Sequence, residues 1–313
     1  MAIGAPKPPV LLIAGPTASG KSALALACAE QIKGVIVNAD SAQLYRDLDI
    51  LSAAPTAAER DRVEHRLYGV RDGAELCSAA EWAAMARAEI ANVHNLGRVP
   101  ILVGGTGLYL RTLLDGIAPV PPIDPAIRHA VREASVADNC ARLAELDPPA
   151  AARIKAADTT RIGRALEVVL STGRTLSEWQ AEREGGIGDD IELRPLILLP
   201  PRKWLYQRCD ERLTQMIDAG AVAEVEALLA RGLDPNLPVM RAIGVREIAA
   251  YLRGEVTLDE AVASAQQATR RYAKRQYTWF AHQPPREWPR FREPLDIDRL
   301  DDALALLTTN RSP

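Results

Sequence analysis

An eight-residue loop near the N-terminus constrains this chain more than any other feature. Residues Gly15 to Ser22 have the sequence GPTASGKS and match the pattern G-x-x-x-x-G-K-[ST] in full. An apolar run from Pro9 to Ala14 precedes the loop, and a segment rich in alanine and leucine follows it. This order predicts a buried strand, a phosphate-binding loop and a helix, because backbone N–H groups of such a loop point toward phosphate oxygens at the helix N-terminus. We therefore expect the chain to bind a di- or triphosphate.

The side chains of the loop have separate expected roles. Lys21 reaches the phosphates as a point charge, and the Ser22 hydroxyl coordinates Mg²⁺, the only cofactor that we expect. The alternative is a glycine-rich turn without a ligand. The predicted diphosphate- or nucleotide-binding residues of the loop are Gly15, Pro16, Thr17, Ala18, Ser19, Gly20, Lys21 and Ser22.

Three more short apolar runs predict the remaining strands of a sheet. They are Gly34 to Val37, Val99 to Val103 and Leu196 to Leu199, and helical stretches separate them. Continuous apolar runs bounded by turns are typical of strands that are buried on both faces, as in a parallel sheet. The predicted fold class is therefore α/β, with a P-loop NTPase-like parallel sheet as its core.

The pattern of apolar residues changes between the third and fourth of the strand-like runs. Residues 120–194 contain no strand-like run, and proline-rich and glycine-rich stretches flank them. The sequence predicts a helical insertion over 120–194, and a core formed by 1–119 and 195–313. The C-terminal part of that core is expected to be helical, with a long helix that begins at a capping box of Thr257 and Glu260.

Charge is unevenly distributed along the chain. The net charge is −3, yet residues Arg241 to Arg292 contain 10 basic and 5 acidic side chains. A basic segment in an acidic chain favours a polyanionic partner. An ordinary solvated helix face is the alternative.

Several classes of protein do not fit the composition. The sequence contains no stretch of about 20 residues that is apolar enough to span a membrane. No leader-like apolar segment follows the first residues, so we expect a cytoplasmic protein. The four cysteines form no C-x-x-C pair, which argues against zinc and against a disulfide framework.

Three kinds of phosphate chemistry are compatible with the loop. A kinase or NTPase needs an acidic Mg²⁺ partner after a neighbouring strand, and Asp40 has that position. A transferase instead uses diphosphate as its leaving group. A phosphate-dependent RNA-binding switch is the third possibility, and the complete loop with its nearby acid favours it least.

Six motifs follow one another along the chain: GPTASGKS from Gly15, NADSAQLYRDLDI from Asn38, GGTGLYL from Gly104, TRIGRALEV from Thr160, RAIGVRE from Arg241 and KRQYTWF from Lys274. In this order they resemble one family, the bacterial tRNA dimethylallyltransferases, also called tRNA isopentenyltransferases or IPP transferases. That resemblance covers nearly the whole chain. It implies transfer of a dimethylallyl group from dimethylallyl diphosphate to N6 of adenosine 37 in tRNAs, which gives N6-(dimethylallyl)adenosine and diphosphate. Similar P-loop enzymes prenylate free adenine nucleotides, but the last two motifs belong to the tRNA branch.

The resemblance implies catalytic roles for Asp40, Thr106 and Lys21. Asp40 accepts the N6 proton; its alternatives are to cap a helix or to bind Mg²⁺. Thr106 holds the adenine or the diphosphate. Arg208 and Arg212, one helical turn apart, clamp the diphosphate or else form a surface pair. The sequence leaves open whether ATP also occupies the loop.

RNA is expected to bind through the anticodon stem-loop, between the insertion and the basic helix. On that helix Gln267, Arg271, Lys274 and Thr278 share one face. Trp279 and Tyr109 are the candidates for base stacking, with core packing as the alternative. The predicted tRNA-binding residues are Asp40, Ser41, Ala42, Gln43, Thr106, Arg161, Arg164, Arg241, Gly244, Arg246, Lys274, Arg275 and Gln276.

Overall fold

The computed structural model describes residues 6–308. The N-terminal segment considered above for a leader begins in residues 1–5, which lie outside this range. The chain divides into two compact units, one from residues up to 113 and from 188 onward, and one from residues 114–187. Within 6–308, no helix has the length and apolar character needed to cross a membrane.

A six-stranded parallel sheet is the centre of the first unit, as the sequence predicts. Its strand order is β3-β2-β4-β1-β5-β6, and every neighbouring pair is parallel. The strands are β1 (Pro9–Ala14), β2 (Val35–Asn38), β3 (His65–Arg66), β4 (Pro100–Gly104), β5 (Glu192–Leu198) and β6 (Arg290–Phe291). Strands β1, β2 and β4 and the last three residues of β5 are buried almost throughout, which explains the continuous apolar runs.

Helices pack against the sheet and also make up most of the C-terminal part of the first unit. Helix α13 begins at the predicted capping box, where the Thr257 hydroxyl accepts from the Glu260 amide at 3.3 Å and the Thr257 amide donates to the Glu260 carboxylate at 2.8 Å. The helices of the chain are α1 (Lys21–Ile32), α2 (Ala57–Arg62), α3 (Ala79–Asn95), α4 (Gly107–Asp115), α5 (Pro125–Glu133), α6 (Val136–Leu146), α7 (Pro148–Arg153), α8 (Thr159–Thr172), α9 (Leu176–Ala181), α10 (Arg202–Asp218), α11 (Ala221–Ala230), α12 (Val245–Leu252), α13 (Leu258–His282) and α14 (Leu300–Thr308).

The second unit is helical and has a hydrophobic core of its own. Helices α5 to α9 belong to it. The ends of the unit pair with each other, because the amides of Ile117 and Glu184 each donate to the other residue's carbonyl at 3.0 Å. Its buried core consists of Val131, Leu143, Ala150, Ile162, Ala165 and Leu166.

The observed boundaries differ from the expected ones at both ends of this unit. The sequence places the insertion at 120–194, whereas the compact unit is 114–187. Strand β5 begins at Glu192, four residues before the apolar run that predicts it, so 192–194 belong to the sheet. The two-residue strands β3 and β6 have no apolar run and are not apparent in the sequence.

The strand order brings three loops together at the carboxyl edge of the sheet. Because β4 lies between β2 and β1, the turn after β4 lies between Asp40 and the phosphate-binding loop. A Cβ atom on Gly104 would collide with the backbone of Ala39, and one on Gly105 would lie 3.2 Å from the Gly15 carbonyl oxygen. The glycine pair therefore permits the close approach that forms a site at this edge, where open α/β sheets bind ligands.

Candidate active site

The loop between β1 and α1 has the backbone of a phosphate cradle. Gly20 has φ +98°, and Ala18 has φ +62°, a left-handed conformation that non-glycine residues seldom adopt. Successive amides in such a loop form a concavity that binds anions. The Ser19 hydroxyl is buried and has no hydrogen-bond partner among the described residues. A buried hydroxyl without a partner is costly, so this atom fits a ligand oxygen.

Two cations lie at the loop. The ammonium of Lys21 donates to the carbonyl of Pro16 at 2.7 Å, and the guanidinium of Arg212 donates to the Thr17 hydroxyl. Burial lowers the pKa of Lys21 to about 8; the nearby carboxylate of Asp40 opposes that shift and Arg212 adds to it. Burial also lowers the pKa of Arg212. Both cations are thus placed where a bound diphosphate would relieve their desolvation and mutual repulsion.

The turn after β2 holds Asp40 through local hydrogen bonds. The Asp40 amide donates to the Asn38 side-chain oxygen at 2.7 Å, and the Asp40 carboxylate accepts from the Ala42 amide at 3.1 Å. The carbonyl of Asn38 in turn accepts from the buried indole of Trp82 at 3.0 Å. Asp40 itself is half-buried and lines a cavity. Its carboxylate can therefore meet a substrate without first rearranging.

Thr106 and Gln276 connect the three loops. The Thr106 hydroxyl accepts from the Ser41 amide at 3.0 Å and donates to the Ser41 hydroxyl at 3.3 Å. The Gln276 side chain accepts from the Thr17 amide at 2.8 Å and donates to the Gly105 carbonyl at 2.9 Å. Gln276 is 6% exposed. Gln276 therefore lies in the interior, whereas the sequence predicts that it contacts RNA. Its hydrogen bonds fix the phosphate-binding loop against the turn after β4.

A cavity of about 360 Å³ opens beside these polar groups. At one side it has Thr17, Asp40 and Arg212. We call a second group of lining residues the apolar wall; it comprises Leu48, Leu51, Leu213, Met216, Val239 and Ile243. A cavity with charged groups at one side and an apolar wall suits a ligand that carries both a phosphate and a hydrocarbon group.

Several residues predicted to contact RNA are exposed to solvent. Lys274 is exposed on α13, and so are Gln267, Arg271 and Thr278 on the face that the spacing predicts. Arg275, Arg241 and Ala42 line the cavity, with Arg275 also exposed. Arg246 is exposed on α12. These exposed cations stay candidates for phosphate contacts.

Other residues predicted to bind RNA or diphosphate make contacts within the protein. The Gln43 side-chain amide donates to the carbonyls of Ser52 and Ala53 at 3.1 and 2.7 Å, so it holds a loop. Gly244 is buried with φ +97°, which favours glycine at this turn. Arg208 lies 4.8 Å above the Trp204 ring and does not line the cavity, unlike Arg212.

The two aromatic candidates for base stacking are packed within the protein. The rings of Tyr109 and Trp82 stack with their centroids 4.6 Å apart, and Tyr109 is 5% exposed. The ring of Trp279 lies against Gly107, where a Cβ atom would be 2.5 Å from it. Tyr109 is thus packed in the interior although it also lines the cavity, and Trp279 is half-buried against Gly107.

The arginines predicted in the second unit lie on α8. Arg161 is exposed and its guanidinium is 3.4 Å from the carboxylate of Asp158. Arg164 is 3.9 Å from the buried carboxylate of Glu167, which also approaches Arg132 at 3.4 Å. Arg132 and Arg164 thus share the single carboxylate of Glu167, and the two cations together carry more positive charge than that carboxylate neutralises.

The sequence did not reveal most of the cavity. Tyr45, Tyr272, Thr269 and the apolar wall line it, and the sequence predicts a site role for none of them. Tyr45 lies within the motif from Asn38 and Ile243 within the motif from Arg241, but neither motif marks them as cavity residues. Spacing offered one indication, because Met216 lies four residues after Arg212 and three after Leu213, which places it beside both on α10.

Comparison with known proteins relates the whole chain to one family. A family model described as IPP transferase matches residues 43–283. A tRNA dimethylallyltransferase from Sphingopyxis alaskensis is 65% identical over 292 residues, which are 93% of this chain and 95% of that protein. Another from Zymomonas mobilis subsp. mobilis is 51% identical over 303 residues, 96% of this chain and 97% of the other.

Solved structures have the same fold. A tRNA isopentenylpyrophosphate transferase from Bacillus halodurans matches with a TM-score of 0.69 and 33% identity, covering 95% of each chain. A eukaryotic dimethylallyltransferase acting on tRNA matches with a TM-score of 0.76 and 27% identity, covering 87% of this chain and 69% of the other.

Proposed function

The chain belongs to the IPP transferase family, and from that premise we propose that it transfers the dimethylallyl group of dimethylallyl diphosphate to N6 of adenosine 37 in tRNA. One observation carries the proposal. The phosphate-binding loop, the carboxylate of Asp40 and the apolar wall meet at a single cavity. The reaction requires a binding site for the diphosphate, a binding site for the hydrocarbon chain and a proton acceptor.

In the proposed reaction, the bond between C1 of the dimethylallyl group and the diphosphate oxygen breaks while a bond from N6 to C1 forms. Diphosphate leaves with the electron pair of the broken bond, and N6 gives a proton to Asp40. The loop amides, Lys21 and Arg212 stabilise the departing anion. Thr106 orients Ser41 beside Asp40 through its 3.0 Å hydrogen bond.

Mg²⁺ belongs to the proposal as a ligand of the diphosphate. Within residues 6–308, no three His, Cys, Asp or Glu side chains lie close enough to hold a metal ion. The exposed hydroxyl of Ser22 at the start of α1 suits Mg²⁺, which commonly takes one or two protein oxygens together with phosphate oxygens and water. When bound there, Mg²⁺ neutralises charge on the leaving diphosphate.

The anticodon stem-loop is the proposed RNA partner. The exposed cations of α13 and α12 support contacts with its phosphates, and Arg161 and Arg164 of the second unit support further contacts. Adenosine 37 must leave its stack to reach Asp40, as bases that undergo chemistry do. The cavity of about 360 Å³ offers room for that base and a five-carbon chain.

The direct test combines labelled dimethylallyl diphosphate, Mg²⁺ and an unmodified anticodon stem-loop. Label is expected to enter the RNA, and an otherwise identical stem-loop with inosine 37, which lacks the N6 amine, is expected to stay unlabelled. Lys21→Ala is expected to weaken donor binding and turnover together. Labelled inosine RNA would reject N6 as the acceptor. Transfer of the γ-phosphate of ATP, with no label in RNA, would identify a kinase instead.

A further inference from the structure

The apolar wall depends on a segment that has no regular structure of its own. Residues 47–54 form turns, and Leu48, Leu51 and Ser52 of this segment line the cavity. Within the segment, the amides of Ala53 and Ala54 donate to the carbonyls of Ile50 and Asp49 at 2.9 Å, and contacts with other elements supply the rest of its support.

Helix α11 holds the segment at two points. Near the start of the helix, the two carboxylate oxygens of Glu224 accept from the amides of Ile50 and Leu51 at 2.7 and 3.0 Å. Just after its end, Arg231 pairs with Asp47 and, at 2.6 Å, with Asp72. Hydrogen bonds from backbone amides to an ionised carboxylate are among the stronger kinds.

The contact continues into the motif that begins at Arg241. A Cβ atom on Gly244 would lie 2.9 Å from a methyl group of Leu51, so the two residues are already in close contact. Ile243, the residue before that glycine, lines the cavity. A shift of Leu51 would therefore move two parts of the apolar wall.

The partial burial of the Glu224 carboxylate is unfavourable for its solvation. Burial raises the pKa of its carboxyl, while the hydrogen bonds from the amides of Ile50 and Leu51 lower it and the nearby Asp49 carboxylate raises it again. Glu226, on the same helix, is exposed. A half-buried carboxylate that binds two backbone amides differs from the ordinary acidic residues of a helix surface.

We propose that Glu224 is a positioning residue which fixes the apolar wall through the backbone of Ile50 and Leu51 and so limits the donor to a five-carbon chain. The inference rests on the proposed function, because it assigns the prenyl group to this wall. Glu224 itself does not line the cavity. Its effect belongs to donor binding and donor choice rather than to proton transfer.

The test compares Glu224→Gln with the matched variant Glu226→Gln. Glutamine keeps one acceptor oxygen but turns an NH₂ group toward the second amide. We expect the KM for dimethylallyl diphosphate to rise about five- to tenfold, with kcat and the KM for tRNA within about twofold of the parent. The preference for dimethylallyl over geranyl diphosphate, as a ratio of kcat/KM, should fall about tenfold. Glu226→Gln should leave every one of these values unchanged.

Leu51→Ala tests the same wall without altering the carboxylate. It should reproduce the loss of donor preference, and combining it with Glu224→Gln should add little, since both act on one segment. Thermal melts monitor folding; if Glu224→Gln melts far below the parent, the outcome for Leu51→Ala decides. A donor preference unchanged in Leu51→Ala, or a Glu224→Gln variant that raises only the KM for tRNA, would overturn the proposal. A parent protein that transfers no dimethylallyl group would reject the proposed function itself.

Discussion

Asp40 is held by hydrogen bonds that do not require its negative charge. Its amide donates to Asn38, and its side-chain oxygen accepts from Ala42 at 3.1 Å, which an asparagine oxygen can also do. We expect Asp40→Asn to bind dimethylallyl diphosphate like the parent, while the single-turnover rate falls about 10²–10⁴-fold, the usual contribution of a general base. Rapid-quench assays with labelled donor measure that rate. A variant that keeps the parental rate would exclude Asp40 as the proton acceptor.

Gln276 is a second residue whose role is decided by its hydrogen bonds. Replacing it with alanine leaves the Thr17 amide and the Gly105 carbonyl without their partner, and each such buried group costs about 1–3 kcal/mol. We expect Gln276→Ala to raise the KM for dimethylallyl diphosphate about tenfold or more, because the phosphate-binding loop loses its support. The KM for tRNA should change little. Gln267→Ala, on the exposed face of the same helix, is the control for donor binding. A selective rise in the KM for tRNA would restore Gln276 as an RNA contact.

At the level of the element, one face of α13 is exposed to solvent and the opposite face is turned toward the candidate active site. Arg271 and Lys274 are exposed, whereas Ala273 and Gln276 are buried. Each phosphate contact that is lost should lower the slope of log affinity against log salt by about 0.7–0.9. The double change Arg271→Ala with Lys274→Ala should therefore lower the slope by about 1.4–1.8 and raise the KM for tRNA, with the KM for the donor unchanged.

Binding titrations at several salt concentrations measure this effect. Arg253→Ala is the matched control, because Arg253 follows α12 and already pairs with Glu255 at 2.6 Å. It should leave the salt slope as it is. If the donor KM rises in the double variant while RNA affinity holds, α13 acts on the diphosphate site and not on RNA.

Elements were predictable from the sequence where burial imposes a continuous apolar run. Strands β1, β2 and β4 agree with their runs to within one residue at each end, and the capping box at Thr257 marks the start of α13. The first residues of β5, Glu192 to Arg194, include two charged side chains and are not fully buried, so no continuous apolar run predicts them. Strands β3 and β6 have two residues each, which is too short for any periodicity.

In the whole molecule, the two sides of the cavity differ in how far the sequence predicts them. The phosphate-binding loop acts through its backbone, which needs glycine, lysine and serine at fixed spacing and is therefore visible as a motif. The apolar wall has the composition of a core. Leu48, Met216 and Ile243 come together from distant parts of the chain, and only the fold places them on one cavity. Leu48 and Ile243 even lie within two of the motifs, yet nothing in those motifs marks them as part of a cavity. The motifs thus identify the chemistry without showing which residues form the wall for the hydrocarbon chain.

The division into two units leads to a separate prediction for each. Every residue that we propose to bind the donor lies in the unit that contains the sheet. Leu166 lies in the other unit, where it is fully buried in the core of 114–187 on the same helix as Arg161 and Arg164. Leu166→Ala should destabilise that helical core by about 2–5 kcal/mol, because it removes buried methyl groups and leaves a cavity. Amides of α8 should then exchange hydrogen faster, and the KM for tRNA should rise. Calorimetry should show parental affinity for dimethylallyl diphosphate.

Val136→Ala is the control for this unit, since Val136 is 48% exposed and its loss should cost less than about 0.5 kcal/mol. The physical reason for the expected split is that the phosphate-binding loop, Arg212 and the apolar wall pack among themselves within the other unit. Local unfolding of the helical unit then removes its arginines from RNA binding without altering the donor cavity. Donor affinity that falls in parallel with the stability of α8 would contradict this independence, and would mean that the helical unit supports the diphosphate site as well.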